Sequence, residues 1–133
     1  MSKTAGYSGK PLFQKLGIKP GLRLLPLDAP GHYPELIEGA EGHVMLAEPG
    51  PADLVHLFCR TRGALEMGFP RALACADAGA MIWVSWPKKT SKLFVDLTED
   101  GIREVVLASA WVDVKVCAVD ADWSGLKLLR RKR

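Results

Sequence analysis

The chain has 133 residues, enough for one domain with a core of its own. Its 48% hydrophobic and 25% charged residues exclude wholesale disorder, and no apolar run approaches the roughly 20 residues that span a bilayer. The net charge of +3 comes from a tail: four of the 18 basic residues are Arg130, Arg131, Lys132 and Arg133, so the remaining 14 stand against 15 acidic residues.

A body this close to neutral argues against nucleic acid as a partner, because such binders concentrate basic residues on a folded face. The tail reads as a solvated chain end, with screened polyanion attraction as its alternative. Residues 1–10 (MSKTAGYSGK) read as a loose N-terminal arm, and residues 11–131 as a single α/β domain. The arm lacks the apolar stretch of a secretory signal, so the cytoplasm is the expected location, with no membrane role.

PLFQKLG at 11–17 predicts a short helix, opened by Pro11 and stopped by Gly17. LRLLPLD at 22–28 predicts the first strand, although Pro26 is disfavoured inside a sheet. Residues 32–40 suit a helix, and HVMLAE at 43–48 a second strand. DLVHLFC at 53–59 is an almost continuous apolar run, the pattern of a strand covered on both faces. Residues 63–78 predict a helix with a kink or restart at Pro70, and AMIWVSW at 80–86 is the strongest strand. DLTEDGIREVVLASA at 96–110 predicts a helix with Asp96 as N-cap and Glu99 three residues on. Gly101 falls in its first turn, where glycine costs about 1 kcal/mol. WVDVKVCAVD at 111–120, the turn ADWSG and LKLLRRK predict an antiparallel hairpin.

Strands alternating with helices require right-handed parallel crossovers, so the expected fold is an open, mostly parallel α/β sheet with an antiparallel hairpin at 111–131. Cys59, Cys75 and Cys117 are scattered in apolar stretches and read as buried free thiols. His32, His43 and His56 are dispersed too, and no metal site is expected.

Over residues 17–131 this order resembles a trimmed Rossmann-like methyltransferase domain, which implies a spatial strand order of 2-1-3-4-6-5. KLGIKPG at 15–21, SWPKK at 85–89, DLTED at 96–100, VDVKVCAVD at 112–120 and WSGLK at 123–127 more narrowly resemble a family of small bacterial proteins labelled a domain of unknown function. Methyltransferases of this fold carry a glycine-rich turn after the first strand, where glycines let the backbone approach S-adenosylmethionine. Here the turn is Asp28-Ala29-Pro30-Gly31-His32, with one glycine and a restrictive proline. The resemblance places Asp28 at the acidic position of that turn and Glu48 where ribose hydroxyls are held.

In open α/β sheets ligands settle at the carboxyl ends of the strands, near the point where strand order reverses. That rule nominates Asp28, His32, Glu48, Arg60, Arg62, Trp86, Lys88, Lys89, Asp120 and Trp123. Arg60, Arg62, Lys88 and Lys89 would form an anion pocket, with Trp86 and Trp123 as a stacking wall. Equally, the arginines would pair with Asp28, Glu66 or Asp120, the lysines would stay solvated, and the tryptophans would close the core and pin the hairpin. His32 is the candidate general base, while His56, mid-strand, reads as a satisfied core residue. With no complete catalytic motif, the leading expectation is a non-enzymatic module on a degenerate methyltransferase-like scaffold. It would need no cofactor and would bind a small anion or a protein. The alternative is an enzyme of the methyltransferase-like class using S-adenosylmethionine or a nucleotide.

Overall fold

The computed structural model describes residues 10–131. The two most apolar segments set its frame. β3 (Ala52–Phe58) and β4 (Ala76–Pro87) pair in parallel, with Leu54 opposite Met81 and Phe58 opposite Ser85. β1 (Arg23–Leu27) runs parallel to β3 on its other side, and the two-residue β2 (Val44–Met45) parallels β1. β5 (Trp111–Ala118) and β6 (Trp123–Arg130) form the antiparallel hairpin, with β6 inserted beside β4. The six-stranded order is β2-β1-β3-β4-β6-β5, the order that the resemblance implied.

Period-two alternation along the strands divides the core into two layers. On one face α1 (Leu12–Leu16) and α2 (Tyr33–Leu36) cover Leu24, Leu54, Phe58, Trp83 and Trp123. On the other, α3 (Arg62–Cys75) and α4 (Glu99–Leu107) cover Leu25, Val55, Leu57, Ile82, Val84, Trp86 and Leu126. Each such side chain contributes roughly 1.5–3 kcal/mol when fully buried. The fully buried Trp83 ties α1 down, its indole N–H donating to the Leu16 carbonyl at 3.0 Å. Gly125 lies beneath that ring, where a Cβ would come within 3.2 Å of Trp83 and 3.1 Å of Val119.

Pro26 sits inside β1 and opposite His56 of β3. The Leu22 and Leu24 carbonyls accept from the Val44 and Leu46 amides, so even-numbered positions of β1 turn their backbone toward β2. β2 ends at Met45, and the proline nitrogen therefore faces no partner strand. The expected second strand of 43–48 shrinks to those two residues, with Val44 and Met45 exposed.

The third helix ends at Cys75, not at residue 78. Asp77 accepts a hydrogen bond from Arg23 at 2.7 Å, and Gly79 adopts φ +78°, a conformation incompatible with a continuing helix. The helix passes through Pro70 without a restart, because Pro70 and Glu66, whose carbonyl loses its donor, are both exposed. Thr98, not Asp96, caps α4: its hydroxyl accepts from the Gly101 amide at 3.1 Å, which fixes the turn that glycine weakens. Asp96 instead accepts from the Arg62 amide at 2.9 Å. In the hairpin β6 begins at Trp123, because Asp120 Oδ1 accepts from both the Asp122 and Trp123 amides at 2.8 Å and closes a tighter turn.

Candidate functional site

The ends of β1 and β3 and the hairpin turn enclose a cleft of about 460 Å³, lined by Asp28, Pro30, His32, Phe58, Arg60, Ala64, Leu93, Asp122 and Trp123. It lies between β1 and β3, where the strand order reverses. Phe58 and Trp123 meet edge to face at 5.0 Å between ring centroids and form its apolar wall.

Asp28 leaves β1 with φ 57°, the one non-glycine residue in the left-handed region among the described residues. Aspartate tolerates this conformation, so Asp28 supplies the sharp turn that a glycine would otherwise make. The Tyr33 amide then bonds the Pro30 carbonyl at 3.0 Å, which opens α2 and brings His32 back over the sheet edge. His32 Nε2 lies 3.2 Å from Asp120 Oδ2, and the other oxygen of that carboxylate is the one gripped by the two turn amides. A fixed carboxylate thus orients an imidazole that is half-exposed on the cleft wall.

The charges separate into different neighbourhoods. Arg60 is exposed and lines the cleft, and no ion pair engages it among the described residues. Arg62 points instead between α3 and α4, bonding Glu66 at 3.2 Å and Glu104 at 2.7 Å. Asp28 pairs with Arg71 at 3.2 Å, an exposed contact worth at most about 1 kcal/mol. Lys88 and Lys89 line a second groove, of about 420 Å³, with Trp86, Glu99, Asp100 and Arg103. Four converging cations and a paired-tryptophan wall are therefore not what the sheet builds. Trp86 packs with α3 and α4 and Trp123 with α1 and α2, each almost fully buried and on opposite faces. Glu48 lies exposed in the bend after β2, outside the cleft.

Beneath the cleft is a buried polar chain. Tyr33 Oη lies 3.0 Å from His56 Nδ1, and His56 Nε2 lies 2.7 Å from Ser85 Oγ. His56 stacks on Phe58 with centroids 4.3 Å apart, so this chain supports the cleft floor from below. Burial pushes the His56 pKa down to about 3 and the Tyr33 phenol upward, which keeps both neutral. His56 is the satisfied core histidine expected from its mid-strand position. Phe58 and Leu93 were not among the nominated residues; Phe58 ends β3 within its apolar run and carries no chemical signal of its own.

The three cysteines are free, and the described residues contain no group of metal-ligating side chains. No helix among them is long and apolar enough to cross a membrane.

The fold is that of a methyltransferase-like Rossmann domain, its mixed sheet mostly parallel with antiparallel C-terminal strands. No family model matches the chain, and no curated protein matches it. Among solved structures it is similar to magnesium protoporphyrin IX methyltransferase from Synechocystis PCC 6803 with bound SAM. That match has a TM-score of 0.58 at 10% identity and covers 90% of this chain and 74% of that one. A putative methyltransferase from Thermoplasma acidophilum gives a TM-score of 0.58 at 7% identity, covering 94% and 76%. The DhpI–SAH complex gives 0.57 at 10% identity, covering 84% and 78%.

Proposed function

We propose that the cleft binds S-adenosylmethionine and that the protein is an enzyme of the methyltransferase-like class. The observation that carries this reading is the position of the cleft: an aromatic-walled cavity with polar groups at its rim, at the strand-order reversal. Its size falls within the roughly 300–1,000 Å³ of small-molecule sites. The residues present fit such a cofactor. The left-handed turn at Asp28 opens the end of β1 as a glycine would, Phe58 and Trp123 offer edges to a base, and Arg60 offers a guanidinium to the amino-acid carboxylate. Asp28 or Asp122, rather than Glu48, would receive the ribose hydroxyls.

The bound cofactor would supply an electrophilic methyl group on a sulfonium. His32, oriented by Asp120, would take the proton from the acceptor hydroxyl or amine, and Asp120 would stabilise the resulting imidazolium. Leu93 and Trp123 would keep water from the reacting atoms. This reading has more support than a purely non-enzymatic module, because the similar structures include proteins solved with SAM or SAH. The five sequence blocks add a second proposal: membership in the family of small bacterial proteins that they resemble.

One observation favours a second reading. Arg60, without an ion pair among the described residues, suits a small anion with no nucleoside attached. Thermal denaturation with S-adenosylmethionine, S-adenosylhomocysteine, inorganic phosphate and citrate separates the two. Stabilisation by the nucleosides, lost in Arg60→Ala, supports the cofactor reading. A flat response to both nucleosides at millimolar concentration removes it, and stabilisation by the anions alone establishes the second reading.

A further inference from the structure

We infer that the groove between α1 and the β5–β6 hairpin binds a small ligand carrying two or more phosphate groups, at a site separate from the cleft. This groove, of about 650 Å³, is lined by Lys10, Gln14, Lys15, Lys115, Val116, Cys117, Ala118 and Ser124. Three lysines stand around it, and no carboxylate is among its lining residues. A fourth lysine reinforces them, because Lys127 lies directly opposite Lys115 in the antiparallel register. Directly opposed side chains of such a pair share one face of the sheet, where like charges repel.

Six carboxylates of the chain are engaged by arginines rather than by these lysines. Arg23 holds Asp53 and Asp77, Arg62 holds Glu66 and Glu104, and Arg103 holds Glu99 and Asp113. None of Lys10, Lys15, Lys115 and Lys127 enters an ion pair among the described residues. A lysine on an edge strand such as β5 is a common guard against strand addition. That role accounts for Lys115 alone. It leaves Lys127 unexplained, since β6 is an interior strand, and it does not place Lys10 and Lys15 on the facing wall.

Residues Val116, Cys117 and Ala118 of β5 line the groove, Cys117 on the α1 face of the sheet, and Gln14 adds an uncharged hydrogen-bonding group. Burial pushes the Cys117 thiol up while Lys15 and Lys115 pull it down, so both ammonium groups act on a residue that lines the groove. Ammonium groups carry three donors each and are compact point charges, suited to phosphate oxygens spaced along a short chain. Single-stranded nucleic acid is a poorer fit, because such sites add aromatic platforms for the bases and no aromatic side chain lines this groove.

Titration of the whole chain with tripolyphosphate at low salt, followed by amide NMR, tests the site. The expected result is saturable shifts at Lys15 and at residues 115–118, at least tenfold weaker binding in Lys15→Glu/Lys115→Glu, and weakening by added salt. The wild-type shift map does not depend on the variant's folding, and Lys15→Gln/Lys115→Gln offers a milder replacement. Absence of saturable shifts there, shifts confined to Lys88 and Lys89, or unchanged affinity in both double variants would overturn the inference. Tighter binding of oligothymidylate than of tripolyphosphate at the same amides would overturn it in favour of nucleic acid. S-adenosylhomocysteine should leave these amides unmoved, which keeps this outcome distinct from that of the cleft.

Discussion

His56 Nε2 and Ser85 Oγ lie 2.7 Å apart across β3 and β4, with both residues completely buried. With the Tyr33 hydroxyl on its other nitrogen, the ring has a partner at each end and no access to water. The folded protein therefore holds His56 uncharged down to about pH 3, while the unfolded chain protonates it near 6.5. Above pH 6.5 the histidine leaves stability unchanged. Below it the unfolded state takes up a proton that the native state refuses, and stability falls by about 1.4 kcal/mol per pH unit. Urea denaturation at intervals between pH 7 and 4.5 should show this decline, and His56→Gln should remove one proton's worth of the slope. A wild-type slope no steeper than that of the variant contradicts the buried neutral ring.

Ser85→Ala and Tyr33→Phe each strip one partner from the imidazole and leave a buried nitrogen unsatisfied, a loss of about 1–3 kcal/mol apiece. Since both losses fall on one ring, the double variant should depart from the sum of the singles. Chemical denaturation of the four proteins measures this, and strict additivity would mean that the three groups do not act as one chain.

Gly125 has a different vulnerability. Alanine there forces a methyl group against Trp83 and Val119, and neither the fully buried ring nor β6 has space to yield. Gly125→Ala should cost about 1–3 kcal/mol by overpacking, with a change in tryptophan fluorescence. An unchanged melting temperature would show that the layer beneath α1 is looser than its geometry indicates.

Arg60 and Arg62 are two residues apart and face different surroundings, which makes them a matched pair for the cleft. Arg60→Ala should weaken cleft-ligand affinity at least tenfold with stability within about 0.5 kcal/mol of wild type. Arg62→Ala should leave affinity intact and lose up to about 1 kcal/mol through its exposed pairs with Glu66 and Glu104. Calorimetric titration against denaturation curves distinguishes the two, and equal effects on affinity would remove Arg60 from the site.

The sequence carried the sheet further than the site. The apolar runs DLVHLFC and IWVSW have a period and length that leave little choice, and β3 and β4 are built around them, β4 reaching back to Ala76. Element ends depended on distant partners: Asp77 leaves the helix for Arg23, 54 residues away, and Thr98 rather than Asp96 caps α4 once Arg62 claims Asp96. Of the nominated rim residues, Asp28, His32, Arg60 and Trp123 line one cleft. What alternation within single strands left open was the face that each strand end would choose. Trp86 and Trp123 are both tryptophans at strand ends, yet the pairing of Pro87 with Trp123 sets their positions out of phase, and the sheet stands between them. The cationic groove was invisible for a related reason. Lys15 lies far in sequence from Lys115 and Lys127, and the near-neutral balance of the chain outside its tail conceals a face where positive charge is concentrated.

Pro26 bears on how the protein behaves toward its own copies. Because β2 stops at Met45, the outer margin of β1 continues past its neighbour, and an uncovered margin of that kind is where a foreign strand can dock. The position that would offer the next amide hydrogen outward is the proline, which has none to give. A short strand and an imino acid together leave an incoming chain without its next donor, so the exposed side of the sheet is a poor seed for self-association.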